Sequence, residues 1–260
     1  MEIQEKVVVV TGGASGIGAA LAARFAAEGA GAVIVADIDD DGASRVAAGF
    51  DGEAIHLDVA NDEETASVIS HVEESYGRID ILCLNAGIAT GGSVDVPNDT
   101  WQRTWEINVM AHVYATRYAL PGMIERGEGY IVTTASAAGL LTNIGAAPYS
   151  VTKHAAVALA EWLAVTYGDK GIGVSCLCPQ FVDTPLLDAF ADYDDDMRAW
   201  VRGIAIGTEQ VAEEVMAAIR SETFLVLPHP EVLGYFQNKA TDYDRWISGM
   251  QKLQATIFTT

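Results

Sequence analysis

The stretch "KVVVVTGGASGIG", residues 6–18, decides how the chain folds. Val7 to Val10 show no polar face, which is how a strand buried on both sides of a parallel sheet reads. Gly12, Gly16 and Gly18 then break the run, and a helix-period segment starts at about residue 17. Glycines at such a turn let the backbone approach a ligand closely, and the helix that follows points its positive end at an anion. Asp37 closes the next apolar run, about 20 residues on, where a dinucleotide fingerprint needs an acceptor for a ribose hydroxyl. The expected contacts to such a ligand are Gly12, Ser15, Gly16, Ile17 and Gly18 in the turn, then Asp37 and Ile38. A carboxylate at Asp37 suits a ribose 2′-hydroxyl and repels a 2′-phosphate. Asp39, Asp40 and Asp41 follow it, and residues 12–18 hold no Arg or Lys, so NAD is expected over NADP.

Outward from this stretch, strand and helix patterns alternate. Apolar runs at 31–37, 53–59, 79–87, 129–136, 172–179 and 223–228 read as six further strands. Helix-period segments lie between them at about 17–28, 40–48, 62–76, 100–126, 149–168 and 208–220. Alternation of this kind predicts right-handed crossovers and a doubly wound, seven-stranded parallel sheet, an α/β Rossmann-type fold. No linker or repeat interrupts it, so residues 1–260 read as a single domain. Residues 180–207, an insertion, and 229–260, a tail, break the rhythm and read as a substrate-binding loop and a C-terminal extension.

Composition narrows the function. The chain has 260 residues, 50% of them hydrophobic, and a formal net charge of −21, which disfavours binding to a phosphate backbone, so no nucleic-acid partner is expected. No apolar run is long enough to span a membrane. Met1 is followed by Glu2 and Glu5 rather than by a basic and then apolar segment, so the expected compartment is the cytoplasm. Cys83, Cys176 and Cys178 lack framework or zinc spacing and read as reduced core thiols. The acid runs at 37–42 and 191–197 read as solvated faces, and no metal site is expected.

A second stretch, "PYSVTKHAA" at 148–156, puts Tyr149 and Lys153 four apart on a helix, where both can address one point in space. Taken alone, the pair reads as a packed phenol and a solvated ammonium. The ordered set around it is more specific: TGxxxGxG at Gly12, Gly16 and Gly18, "LDV" at 57–59, "NAG" at 85–87, Asn108, Ser136, the Tyr149/Lys153 pair and "CPQFVDTPL" at 178–186. Over residues 5 to about 228 the chain resembles the short branch of the short-chain dehydrogenase/reductase family. The resemblance implies that Tyr149 carries the proton in a hydride-transfer reaction. It implies that Lys153 lowers the tyrosine pKa and binds the nicotinamide ribose, that Ser136 steadies the substrate oxygen, and that Asn108 holds a water linking the lysine to solvent. It also implies that Asp58 and Val59 border the adenine, that Asn85, Ala86 and Gly87 border the adenosine ribose, that the Val182 backbone pairs with the carboxamide, that Thr184 contacts the phosphate or the nicotinamide side, and that Pro179 also touches the cofactor. His112 and His154 have no role in this scheme and read as packing or surface groups. Where the family has Pro-Gly, this chain has Pro179-Gln180, so Gln180 is expected to reach into the substrate pocket, with altered pocket geometry.

The segments after the fourth, fifth and sixth strands should wall that pocket. They offer Leu140, Leu141, Ile144, Phe181, Leu186, Leu187 and Phe190, and no Arg or Lys. Leu141, Ile144, Gln180, Phe181 and Leu187 are the expected substrate contacts. A buried anion would lack a partner there, so the expected substrate is an uncharged or cationic, largely apolar secondary alcohol, aromatic groups included, or its ketone. The competing reading is a non-catalytic NAD(H)-binding sensor or scaffold, against which the intact Ser136, Tyr149 and Lys153 argue. From His154 to Gly168 the only charged residue is Glu161, so one face of this helix, with Ala155, Leu159 and Trp162, needs a second cover, which the family resemblance implies is the equivalent helix of a second copy. A homo-oligomer is expected, a dimer or homotetramer.

Overall fold

The computed structural model describes residues 1–190 and 195–257. Seven parallel strands, β1 (Val7–Thr11), β2 (Ala32–Asp37), β3 (Glu53–His56), β4 (Ile81–Leu84), β5 (Gly129–Thr134), β6 (Ile172–Leu177) and β7 (Leu225–Val226), lie in the order β3-β2-β1-β4-β5-β6-β7. The chain walks outward from β1 to β3, then returns past β1 to β4. At that reversal the carboxyl ends of β1 and β4 feed loops in opposite directions, and a crevice opens between them.

The valine run explains the layering. Val7 and Val9 face one side of the sheet, with Ile34, Leu82 and Ile131, under α3 (Asp62–Tyr76), α5 (Ala111–Arg126) and α6 (Ala147–Tyr167). Val8 and Val10 face the other, with Val35, Cys83 and Val132, under α1 (Gly16–Ala27) and α8 (Thr208–Ser221). All four valines are buried, each contributing about 1.5–3 kcal/mol of hydrophobic stabilisation. α2 (Asp40–Ala48) covers β2 and β3, and local chemistry sets the helix ends. Asn61 caps α3 through the amides of Glu63 and Glu64, and Gly77 stops it at φ 78°.

Several boundaries differ from the sequence reading. β3, β4 and β7 are shorter than their apolar runs, because the residues beyond each strand turn out of the sheet to line the crevice or leave toward the tail. The single helix expected over 100–126 is instead α4 (Asn98–Trp105), a wider π-turn at Glu106–Met110, and α5. The insertion holds a 3-10 turn, Pro185–Phe190, and the helix α7 (Asp195–Ile204). The tail forms two helices, α9 (Glu231–Thr241) and α10 (Tyr243–Ile257). The Phe190 side chain, the first four residues of the 191–197 acid run and residues 258–260 lie outside the described residues. Among the described residues no helix is long and apolar enough to cross a membrane.

Candidate active site

A cleft of about 1510 Å³ runs along the carboxyl ends of the strands. Its floor is the glycine turn. Gly12 has φ +65°, and a Cβ there would stand 2.7 Å from the Cα of Ala86. Gly16 has φ +53°, and its Cβ would meet Thr184 at 3.1 Å. Both positions therefore need glycine, for conformation and for space. Ser15 makes no side-chain cap to α1, and the first turn of that helix carries no acid. The leading amides are thus left to an external acceptor, and this cradle fits a dinucleotide pyrophosphate. Gly18 does not line the cleft. A Cβ there would be 2.0 Å from the Gly12 carbonyl oxygen, so its role is close packing of α1 against the turn.

The other expected cofactor residues, Ser15, Ile17, Asp37, Ile38, Asp58, Val59, Asn85, Ala86, Gly87, Pro179, Val182 and Thr184, all line the cleft. Asp37 is held by two backbone donors, Ala14 N–H at 2.9 Å and Asp39 N–H at 3.0 Å, one to each oxygen. Asn85 ties strand ends together: its Nδ2 donates to the carbonyls of Thr11 and Gly12, and its Oδ1 accepts from Thr134 Oγ1. Asp58 accepts from Ala60 N–H and stands 3.5 Å from Arg103, which also lines the cleft.

Ser136, Tyr149 and Lys153 come together on one wall and are all buried. The Lys153 ammonium donates to the Thr134 carbonyl at 2.9 Å and lies 5.7 Å from the centre of the Tyr149 ring. Burial pulls the Lys153 pKa down to about 8. The Tyr149 pKa, expected below its ordinary value, is instead raised by burial, with a hydrogen bond to Ser136 acting in the opposite direction. Desolvation of the phenolate outweighs any help from the ammonium, which is turned to a carbonyl. Ser136 Oγ accepts from Ala138 N–H at 3.1 Å and donates to the Pro179 carbonyl at 3.4 Å.

Asn108 sits in the π-turn, away from the cleft wall. Its Oδ1 accepts from Ile88 N–H at 2.9 Å, and its Nδ2 donates to Ile88 O and to Thr152 Oγ1. The side chain therefore braces α6 against the loop after β4. His112 is buried one turn further on, with its pKa pulled to about 3 by burial first and by Lys153 second. His154 bonds the Ser150 carbonyl of its own helix. Neither histidine lines the cleft.

Leu141, Ile144, Gln180, Phe181 and Leu187 line the cleft as expected. Gln180 costs the backbone nothing, since Glu5, Asp51 and Glu222 are the non-glycine residues with positive φ among those described. Its N–H donates to Nδ1 of the buried His229 at 3.2 Å, just past the end of β7. The sequence reading missed the tail. Tyr235, Asn238, Arg245, Trp246, Met250, Leu253 and Ile257 form a further wall. The signal was present, because Trp246, Met250, Leu253 and Ile257 recur at i, i+4, i+7 and i+11, one stripe of a helix. Among the described residues no group of three His, Cys, Asp or Glu could hold a metal ion.

Residues 6–194 match the short chain dehydrogenase family. The chain is 33% identical over 259 residues to a 1-deoxy-11-beta-hydroxypentalenate dehydrogenase of Streptomyces exfoliatus, covering 95% of this chain and 92% of that one. It is 35% identical to a meso-2,3-butanediol dehydrogenase of Serratia marcescens, over 84% of this chain and 87% of the relative. The fold is similar to a short chain dehydrogenase/reductase of Burkholderia phymatum crystallised with NAD, with a TM-score of 0.85, 29% identity, and coverage of 94% and 96%. With the glycine cradle and the Ser136, Tyr149 and Lys153 cluster in the same cleft, the chain belongs to the short chain dehydrogenase family and is an alcohol dehydrogenase of that type, served by a nicotinamide cofactor.

Proposed function

We propose that this single-domain protein is an NAD-dependent oxidoreductase that interconverts an uncharged or cationic, largely apolar secondary alcohol and its ketone. The observation that carries the reading is a buried Ser136–Tyr149–Lys153 cluster opening onto a mostly apolar cleft. Gly12, Ser15, Gly16 and Ile17 would hold the pyrophosphate, and Asp37 with Ile38 the adenosine ribose. Asp58 and Val59 would flank the adenine, with Asn85, Ala86 and Gly87 beside the sugar. Pro179, Val182, Thr184 and Lys153 would hold the nicotinamide end. When bound there, NAD supplies the hydride acceptor. The proton is left to the protein: Tyr149 takes it from the hydroxyl, Ser136 steadies the charge that develops on oxygen, and Lys153 favours the phenolate. Asn108 is a positioning residue that fixes Thr152 and hence the start of α6.

The apolar lining of the cleft, with Leu141, Ile144, Phe181 and Leu187 as well as Trp246, Met250 and Leu253, supports the substrate class. Arg245 also lines it, as does Asp242, whose carboxylate accepts the backbone N–H of Arg245 at 3.0 Å. That rim carries one charge of each sign and no net attraction for an anion. The test is a paired panel with NAD, an aryl alkyl carbinol against a hydroxy acid of similar size, followed by NADH absorbance. The carbinol should win by at least about tenfold in kcat/KM, the order set by an unpaired buried charge. A preference for the hydroxy acid overturns the substrate class. Tight NADH binding with no turnover of any alcohol would favour the sensor reading.

Two further parts of the proposal concern setting. The cytoplasm is supported by three free, buried thiols, Cys83, Cys176 and Cys178. A homo-oligomer, a dimer or homotetramer, is supported by the outer face of α6, where Val151, Trp162 and Val165 are 50%, 55% and 85% exposed. Light scattering at micromolar concentration should give two or four chain masses, and Trp162→Glu should lower that number. A monomeric wild-type protein rules the assembly out.

A further inference from the structure

Helices α9 and α10 lie outside the strand–helix alternation, yet they build a wall of the cleft. Val232 and Phe236 pack α9 on the core, and one buried cation ties both helices to the loop after β5. Lys239, near the end of α9, is 6% exposed. Its Nζ donates to the carbonyls of Leu140 at 2.7 Å and Leu141 at 2.9 Å. The same atom lies 5.0 Å from the centre of the Trp246 ring and 5.5 Å from that of Tyr243, both on α10. Partners are thus gathered from two walls. Leu140 and Leu141 follow the short turn Ala137–Gly139 that starts beside Ser136, and Leu141 and Trp246 both line the cleft. An ammonium held by two carbonyls and two ring faces in a desolvated place is a strong local tie.

We propose that Lys239 is a positioning residue for the substrate, which couples the α9–α10 wall to the loop after β5 and so sets how tightly the cleft holds a bulky apolar alcohol. The proposal rests on the substrate reading above. It adds a residue that the sequence pattern hides, since a lone lysine in a polar tail reads as solvated. Loss of the tie lets the wall move away from Leu141, which penalises a large substituent that touches both walls. A small alcohol that touches neither is unaffected, and so is the cofactor.

The experiment compares wild type, Lys239→Met and Lys239→Arg with 1-(2-naphthyl)ethanol and 2-butanol. For Lys239→Met the KM for the naphthyl alcohol should rise about tenfold or more, as expected for losing charged hydrogen bonds. The KM for 2-butanol and the NADH dissociation constant should stay within about twofold, and Lys239→Arg should restore most of the loss. An unchanged naphthyl KM overturns the proposal, as does a parallel loss for both alcohols and NADH. If wild type oxidises neither alcohol, the substrate reading has failed, and amide exchange judges the lysine alone. Exchange about tenfold faster over 137–142 and 235–250 in Lys239→Met supports the tie, and unchanged exchange overturns it. Should Lys239→Met not fold, Lys239→Gln, which keeps one donor, is judged by the same outcomes.

Discussion

Tyr149→Phe should lower kcat by about 10² to 10⁴ while leaving NADH binding within a few-fold of wild type. The substitution removes one oxygen from a ring that is 7% exposed and otherwise packed, so the cleft and its cofactor contacts remain. What disappears is the group that takes the proton. Ser136 cannot replace it, because an aliphatic hydroxyl gives up its proton far less readily than a phenol. Lys153 cannot either, since its ammonium is bonded to Thr134 O and reaches the reaction only through its neighbour. The raised pKa of Tyr149 sharpens the expectation: the free protein holds the phenol in its protonated form, so the base has to be generated in the loaded site. Steady-state kinetics and NADH fluorescence titration check it. Turnover near wild type would remove Tyr149 from the mechanism.

The second large effect concerns the cofactor. NAD should exceed NADP in kcat/KM by at least about 100-fold, because like charges brought together cost several kcal/mol and each 1.36 kcal/mol is a factor of ten. Asp37 is not a mobile surface acid that could swing away from a phosphate. Ala14 N–H and Asp39 N–H fix both of its oxygens at the cleft wall. Arg103, a cation lining the same cleft, is occupied by Asp58. Equal efficiency with the two cofactors would overturn the assignment, and Asp37→Ser should narrow the ratio.

Most of the fold can be read from Val7–Val10 and the glycines after them, because alternation, burial and the turn are local facts. The catalytic cluster was legible for a related reason: Tyr149 and Lys153 lie on one helix turn, and Ser136 ends a strand. What escaped depends on contacts between distant segments. The tyrosine pKa went the other way because burial is decided by the whole wall around it. The π-turn at Glu106–Met110 left no mark on the apolar period, which runs through 100–126 without a break. Asn108 was found, but its use as a brace between Ile88 and Thr152 could not be. Lys239 and His229 belong to no motif, and their contacts with Leu140, Leu141 and Gln180 arise only from the folded chain.

The π-turn also makes backbone winding, rather than side-chain identity, the sensitive variable in that region. A π-turn holds one residue more than the α-turn it replaces, so Glu106–Met110 turn through about as much as four residues of an α-helix would. Wound as a regular α-helix with no residue removed, the segments on either side would differ by about 100° in azimuth from their present relation. With α5 locked on the sheet through Ala115 and Met123, that rotation would fall on α4 and on Asn108, swinging its amide off Ile88. A spare residue here thus acts as a phase adjuster: it lets one helix obey the packing of the core at one end and the needs of the cleft at the other.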